Sequence, residues 1–169
     1  MEFKDRICVE QGDITKLDCD CIVNAANRSL LGGGGVDGAI HRAAGPKLLI
    51  ECMTLHGCNT GEAKITKGYR LKASYIIHTV GPVYSGKDKD AVQLASCYRS
   101  SLELAKEHEI HSIAFPAIST GVYGYPLEAA TEIAVETVKQ WLENHADYEM
   151  QVIFCCFDEH TAQVYREKL

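Results

Sequence analysis

The sequence has no cluster of basic residues: 17 lysines and arginines are outnumbered by 23 acidic residues, and the formal net charge is −6. Without such a cluster we expect neither a nucleic acid nor an anionic membrane as partner. No stretch approaches the roughly 18 apolar residues of a membrane span, and the first six residues are charged rather than apolar. These absences predict a cytoplasmic protein. An anionic ligand must then be held by local backbone amides.

The eight cysteines include no C-x-x-C pair, which argues against a zinc ribbon or a redox dithiol. Cys19, Cys21 and the pair at 155–156 lie in or beside apolar strand-like runs, so we interpret them as small, reduced core residues. Cys52 and Cys58 flank His56, and a metal site there stays an alternative, although structural zinc normally needs four closely spaced ligands.

The chain is organised around Val23–Asn27 and the glycine-rich run Gly32–Gly45. A short apolar strand ends in asparagines, passes through four consecutive glycines and enters a segment rich in alanine and isoleucine, which predicts a short helix. Glycines let a backbone approach a ligand closely, and the free N–H groups of a helix N-terminus point at negative charge. This layout predicts an anion-binding site.

Other glycine-loop interpretations fit less well. The glycine pattern starting at Gly33 matches the dinucleotide fingerprint, but that motif needs an acidic residue about twenty positions on, at the end of a second strand. Here Pro46–His56 is predicted to be a helix, and Glu51 lies within it. No Gly-Lys-Ser/Thr occurs, which excludes a Walker loop. A flexible glycine loop closed by Asp37 as a helix cap stays an alternative from this stretch alone.

Hydrophobic periodicity predicts six strands alternating with five helices. The strands are predicted at Arg6–Gln11, Cys21–Ala25, Gly61–Leu71 with a turn at Gly68, Tyr75–Val80, Ser112–Ile118 and Gln151–Phe157. The helices are predicted within Gly32–Gly45 and at Pro46–Leu55, Ala91–His108, Leu127–Glu143 and from an Asp158 cap through Leu169. The pattern predicts an α/β fold, a largely parallel sheet between helices, in a single domain over residues 1–169.

A second glycine-punctuated loop, Ser119–Pro126, also follows a strand and opens into a helix. Ligands of such sheets bind at the carboxyl ends of the strands, so the two loops together could grip two phosphates. Ser119 is not interpreted as a nucleophile because no G-x-S-x-G elbow surrounds it.

Four segments together make the chain resemble a macrodomain of the MacroD type, over nearly all of its length. They are Gly12–Thr15, Val23–Asn27, Gly32–Gly45 and Ser119–Pro126. The resemblance implies a three-layer α/β/α sandwich with a mixed, largely parallel sheet that binds ADP-ribose. It further implies removal of mono-ADP-ribose from acidic side chains of proteins and deacetylation of O-acetyl-ADP-ribose. It implies no metal and no organic cofactor, and we expect a monomer.

For the adenine end, the resemblance assigns Asp13, with the Ile14 amide beside it, and Phe157 as the stacking partner. An ionised carboxylate only accepts hydrogen bonds, which suits the exocyclic amine of adenine. From the residues alone, a turn residue after Gly12 is the preferred interpretation of Asp13, and a core aromatic is a nearly equal alternative for Phe157.

For the diphosphate, the resemblance assigns two sets of loop residues. They are Gly33, Gly34, Gly35 and Val36 in the first loop, and Ser119, Thr120, Gly121, Val122 and Tyr123 in the second. Backbone amides suffice to hold the charge. The hydroxyls of Ser119 and Thr120 are interpreted either as phosphate donors or as caps, and Tyr123 as the aromatic packing on the distal ribose.

At the distal ribose the resemblance places Asn24, Asn27 and Asp37. Asn27 has both a donor and an acceptor for ribose hydroxyls. Asp37 is the candidate for chemistry: an ionised carboxylate is a weak base, so we expect it to orient water, with the ligand's own phosphate sharing the activation. His41, four residues later on the same helical face, is either a ribose neighbour or a packed histidine. His78, within an apolar strand, is interpreted as core.

Three functions are compared. An ester hydrolase is favoured because Asn27 and Asp37 both lie beside the phosphate loops. A non-catalytic reader of ADP-ribosylated proteins is the alternative, weakened by the absence of a fused domain. An oxidoreductase would need a second substrate domain, for which 169 residues leave no room.

Overall fold

Six strands and five α-helices lie along residues 6–169, the part of the chain that this computed structural model describes. The strands are β1 Ile7–Gln11, β2 Cys21–Ala25, β3 Ala63–Lys67, β4 Tyr75–Thr79, β5 Ser112–Phe115 and β6 Gln151–Cys156. The helices are α1 Gly35–Ala44, α2 Pro46–Met53, α3 Asp88–Glu107, α4 Leu127–Asn144 and α5 Glu159–Lys168. A short 3-10 helix, Ile14–Lys16, follows β1. The predicted order of elements is confirmed.

The boundaries differ from the prediction where local bonds override periodicity. Helix α3 begins at Asp88 rather than Ala91, and Asp90 in its first turn accepts hydrogen bonds from the amides of Ser85 and Gly86. Helix α2 ends before Leu55, because the chain turns at His56 and Gly57, which both have positive φ. Asp158 caps α5 as expected, accepting from the Thr161 amide at 2.7 Å.

The sheet has the strand order β1-β6-β5-β2-β4-β3. All pairings are parallel except that of β3, which runs antiparallel to β4 at the edge. The expectation of a mixed, largely parallel sheet is therefore confirmed. Strand β3 starts at Ala63, two residues later than predicted, and the turn at Gly68 is closed by a bond from its amide to the Ser74 carbonyl at 2.8 Å.

Helices cover both faces of the sheet. Neighbouring residues of one strand enter different cores: Val23 packs with α3, α4 and α5, whereas Ile22 packs with α1 and α2. Ile77 and Ile76 of β4 divide in the same way. Because successive side chains of a strand point to opposite faces, a continuous apolar run supplies two cores. The result is the three-layer α/β/α arrangement that the resemblance implied.

The cysteines are free thiols, and all but the half-buried Cys8 are buried. Burial raises the pKa of Cys52 and of Cys155 to about 11, so these thiols stay protonated at neutral pH. The interpretation as small core residues is confirmed. No helix within residues 6–169 has the length and apolar character needed to cross a membrane.

Candidate functional site

The candidate site lies along one edge of the sheet, where parallel strands end next to one another. The carboxyl ends of β1, β6, β5 and β2 follow in this order and lead into Asp13, Phe157, the second loop and the glycine-rich loop respectively. Neighbouring strands are about 4.8 Å apart, so β1 and β2 are separated by about 14 Å. The topology therefore brings into a row the segments that the sequence analysis predicts for adenine, diphosphate and distal ribose.

Asp37 is buried in the first turn of α1, and a side chain of the sheet forms a hydrogen bond to its carboxylate. Asn24, near the end of β2, donates from Nδ2 to Asp37 Oδ1 at 2.8 Å. The same amide nitrogen lies 3.2 Å from His78 Nδ1 on the neighbouring strand β4. His41 Nε2 lies 3.5 Å from Asp37 Oδ1 and has no hydrogen-bond partner among residues 6–169. One carboxylate oxygen of Asp37 is thus fixed, and the other, Oδ2, is directed towards Gly33.

Asn24 has no exposed surface, so its side chain forms a hydrogen bond to Asp37 from the interior of the protein. This position differs from the expected contact with the distal ribose. The reason is register: Asn24 lies directly opposite His78 in the β2–β4 pairing, in the interior of the sheet. The interpretation of His78 as a plain core residue is likewise incomplete, because it bonds the residue that fixes Asp37.

The hydrogen bonds define the form of His78. Asn24 Nδ2 can only donate, so His78 Nδ1 must accept and the ring proton must lie on Nε2. His78 Nε2 is 2.9 Å from Thr66 Oγ1, and that hydroxyl donates to the Lys67 carbonyl at 3.2 Å. Burial, and secondly the nearby His41, lowers the pKa of His78 to about 3. The imidazole is therefore neutral at physiological pH.

This histidine makes stability depend on pH. Its folded pKa is about 3 and its ordinary value 6.5, so between these values the unfolded chain binds a proton that the folded chain does not. The stabilisation is complete above pH 6.5 and decreases by about 1.4 kcal/mol per pH unit as the pH falls. Between about pH 7.5 and about pH 5, His78 should therefore lower the free energy of unfolding by on the order of 2 kcal/mol.

His78→Gln keeps an acceptor towards Asn24 and a donor towards Thr66 but does not titrate. Urea unfolding measures the free energy of unfolding at both pH values. The decrease of this free energy from about pH 7.5 to about pH 5 should be smaller in the variant than in the wild-type protein, by on the order of 2 kcal/mol. An equal loss in both proteins would contradict this assignment.

Asn27 lies opposite Asp37 across Gly33. A Cβ atom placed on Gly33 would lie 3.2 Å from Asn27 Nδ2 and 3.1 Å from Asp37 Oδ2, so both polar atoms border the same small space. The Asn27 oxygen already accepts from Ser29 Oγ at 2.7 Å and from the Leu30 amide at 3.1 Å. Its Nδ2 donates to the Gly32 carbonyl at 2.8 Å. Asn27 therefore retains one N–H for a ligand, rather than the donor and acceptor that we expected.

The glycine-rich loop presents unpaired backbone amides. Helix α1 begins at Gly35 with Gly34 as its cap residue, and no side chain caps it. In the described residues, the amides from Gly33 to Val36 have no hydrogen-bond acceptor. The first amides of a helix carry a partial positive charge directed outward. The alternative of an ordinary cap by Asp37 does not apply, because its carboxylate bonds Asn24 instead.

The second loop turns at Ser119, which has a positive φ of 68°. Its Oγ is buried against Gly81, where an added Cβ would clash with it. The Thr120 hydroxyl donates to the Ala117 carbonyl at 2.9 Å. The Thr120 hydroxyl is thus used within the loop, whereas the Ser119 hydroxyl has no hydrogen-bond partner among residues 6–169, so both interpretations of Ser119 stay open.

Besides the Ser119 hydroxyl, this loop retains backbone amides as donors. Those of Gly121, Val122 and Tyr123 are unpaired within residues 6–169. Val122 is fully exposed. The Tyr123 ring is half-buried, and its carbonyl accepts from the Tyr84 amide at 2.9 Å, which anchors the loop.

At the far end of the row, Asp13 and Phe157 lie on neighbouring strand ends, joined by a bond from the Gly12 amide to the Cys156 carbonyl at 2.9 Å. Asp13 Oδ1 caps the 3-10 helix through the hydroxyl and amide of Thr15, and these bonds lower the pKa of Asp13. It is therefore ionised, with Oδ2 unpaired among the described residues. Phe157 is 86% exposed, which excludes the core-aromatic alternative. Ile14 is buried, and its amide donates no hydrogen bond within residues 6–169.

No group of three or more His, Cys, Asp or Glu side chains in residues 6–169 is arranged to hold a metal ion. Cys52, His56 and Cys58 therefore do not form such a group.

Sequence reasoning missed Thr66, Gly81 and the role of His78. The available signal for His78 was a polar residue in the middle of an apolar strand, three residues before Gly81-Pro82. Only the strand pairing connects it to Asn24.

Comparison with known proteins agrees with this geometry. The Macro domain family model matches residues 23–134. The Macro domain-containing protein mll7730 of Mesorhizobium japonicum is 66% identical over 162 residues, covering 95% of this chain and 92% of the relative. The ADP-ribose glycohydrolase MACROD1 of Bos taurus is 56% identical and covers 99% of this chain, which spans about half, 52%, of that relative. A crystal structure of the Trypanosoma brucei macrodomain in complex with ADP-ribose is similar with a TM-score of 0.92 and 50% identity, covering 96% of this chain and 68% of that one.

The fold and the site define a three-layer α/β/α sandwich with two loops of unpaired amides at the carboxyl ends of its strands. The chain belongs to the macro domain family.

Proposed function

We propose that this chain is an ADP-ribosyl ester hydrolase, which removes mono-ADP-ribose from glutamate and aspartate side chains of proteins. The observation that carries the proposal is the pair Asn27 and Asp37, held on opposite sides of Gly33 beside unpaired amides. The row of strand ends supplies a place for each part of ADP-ribose. The similarity to a protein named ADP-ribose glycohydrolase supports the same function.

The geometry supports a role for each of these residues. The amides of Gly33–Val36 and Gly121–Tyr123 hold the diphosphate, which explains how an acidic protein binds a dianion. Asn27 donates its remaining N–H to a ribose hydroxyl. Asp37 accepts from a water molecule at Oδ2 and orients it, while Asn24 and neutral His78 hold the carboxylate. His41 is the ribose-side neighbour of Asp37. The water adds to the ester, and the products are a ribose hydroxyl and a free carboxylate, with one proton released.

The same site would accept O-acetyl-ADP-ribose, because an acetyl ester presents the same bond without a protein attached. Deacetylation is thus part of the proposal. The monomeric state and the cytoplasmic location stay predictions from the sequence.

The decisive experiment measures release of ADP-ribose from a protein mono-ADP-ribosylated on glutamate, with a serine-linked protein as control and a chelator present. We expect release from glutamate alone, because the proposed chemistry needs an ester and no metal. Absence of release while ADP-ribose still binds would contradict hydrolysis of protein esters. In that case, deacetylation of O-acetyl-ADP-ribose or a reader function would become the favoured function.

Phe157→Ala should weaken ADP-ribose binding roughly 10- to 100-fold, because stacking of a base on an aromatic ring contributes about 1–3 kcal/mol. Phe157 is 86% exposed, so the free energy of unfolding should change little. Isothermal titration with ADP-ribose measures the effect. Val92→Ala, which removes a 69% exposed apolar side chain from α3, is the matched control. Equal affinities of the two variants would remove Phe157 from the adenine site.

A further inference from the structure

A hollow of about 380 Å³ lies beside the candidate site, between α1, α2 and the turn that joins β3 to β4. We call it the basic hollow. Its polar walls are His41, Arg42 and Arg70, its apolar walls include Leu31 and Leu49, and none of its lining residues is acidic. A second hollow, of about 460 Å³, shares Leu31 with it and is also lined without an acidic residue. The chain has a net charge of −6, yet no acidic residue lines either hollow.

The basic hollow adjoins the candidate site at His41 and Gly32. His41 belongs to both places: it lines the hollow, and its Nε2 lies 3.5 Å from Asp37 Oδ1. Gly32, another lining residue, bonds Asn27 through its carbonyl. Helix α2 lies over β3, at the opposite edge of the sheet from β1 and β6. A group seated in the hollow is therefore attached beyond the distal ribose.

Both arginine side chains are exposed, and each lies close to a glycine. A Cβ on Gly38 would lie 3.0 Å from Arg42 Nη1, and a Cβ on Gly45 would lie 3.0 Å from Arg70 Nε. Each guanidinium thus occupies space that a larger residue would fill. Within residues 6–169, neither arginine side chain forms an ion pair or a hydrogen bond. Two unpaired guanidinium groups suit carboxylates, which arginine binds in a planar, two-point arrangement.

We propose that the basic hollow binds acidic side chains that flank the modified residue in a protein substrate. The inference rests on the proposed ester hydrolase function, which places the protein part of the substrate on this side of Asp37. Charge complementarity selects the occupant: an acidic segment is attracted by Arg42 and Arg70, and Leu31 and Leu49 receive its apolar atoms. The small substrate O-acetyl-ADP-ribose has no such segment, so its hydrolysis does not depend on the hollow.

The test uses two peptides mono-ADP-ribosylated on one glutamate, one with aspartate neighbours and one with serine neighbours. The wild-type protein should act on the acidic peptide with the higher kcat/KM. In Arg42→Glu/Arg70→Glu, kcat/KM for the acidic peptide should fall about tenfold or more, since two attractions become repulsions. Hydrolysis of O-acetyl-ADP-ribose and of the serine peptide should stay within about twofold, and added salt should weaken the preference.

Arg99→Glu/Lys106→Glu is the matched control, because it makes the same change of charge on α3, on the other face of the sheet. Arg42→Gln/Arg70→Gln removes the charges without repulsion and should give an intermediate loss. Equal kcat/KM values of the wild-type protein for both peptides, or an equal loss in both double charge reversals, would overturn the proposal.

Peptide affinities measured in the Asp37→Ala background separate this inference from the proposed function. If the wild-type protein releases nothing from either peptide, the hydrolase function fails. A higher affinity for the acidic peptide that depends on Arg42 and Arg70 would then still support the hollow as its binding site. Equal affinities for the two peptides would reject it.

Discussion

Asp37→Ala is expected to lower the rate of ADP-ribose release by roughly 10²- to 10⁴-fold, the range typical of a positioned acid–base group, while ADP-ribose still binds. The reason is geometric: Asp37 presents a single oxygen, Oδ2, to the space beside Gly33, and its other oxygen is bonded to Asn24. Removing the carboxylate removes the acceptor that orients the water but leaves the diphosphate amides in place. Single-turnover release and isothermal titration measure the two effects separately.

The variant also leaves a buried Asn24 N–H without its acceptor, which should lower the free energy of unfolding by about 1–3 kcal/mol. Thermal unfolding must therefore accompany the kinetics. Asp18→Ala, an exposed carboxylate in the segment before β2, controls for loss of one negative charge. An unchanged rate in Asp37→Ala would remove this residue from the mechanism. A loss that appears only in KM would make it a binding group.

The loops of the site could be predicted from the sequence because their signals are local. Glycine at Gly32–Gly35 after an apolar strand, and again at Gly121 and Gly124, marks backbone that approaches a ligand or turns with positive φ. Alternation of strands and helices then places both loops at the same edge of the sheet. This reasoning is general for parallel sheets, so it needs no knowledge of side-chain contacts.

The direction of side chains could not be predicted in the same way. Strand β2 is apolar on both faces, so its pattern does not show whether Asn24 points towards the ligand or into the sheet. The answer depends on His78, 54 residues later in the chain. Ser119 is a similar case, because its hydroxyl is buried only through Gly81, which follows a different strand. The antiparallel direction of β3 likewise depends on the turn at Gly68, not on the pattern of the strand itself.

Gly33→Ala should have an effect of comparable size on the rate, at least about 10²-fold, because misplacement by an ångström in a site has consequences of this order. The new methyl group would lie 3.1 Å from Asp37 Oδ2 and 3.2 Å from Asn27 Nδ2, in the space that we assign to the reacting water and ribose. Gly33 does not have a positive φ, so alanine fits its backbone conformation and the fold should be preserved.

Gly34→Ala is the comparison variant. The added Cβ of this variant meets no atom within 4 Å, and the φ of −93° at Gly34 suits any residue. The variant therefore replaces a glycine of the same loop without filling the space between Asn27 and Asp37. The rate of release should fall much less than in Gly33→Ala. Equal losses in the two variants would mean that the loop needs glycine for its own flexibility. A loss confined to Gly33→Ala, with ADP-ribose affinity retained, would locate the chemistry between these two side chains, because only there does the added methyl group displace a reacting atom.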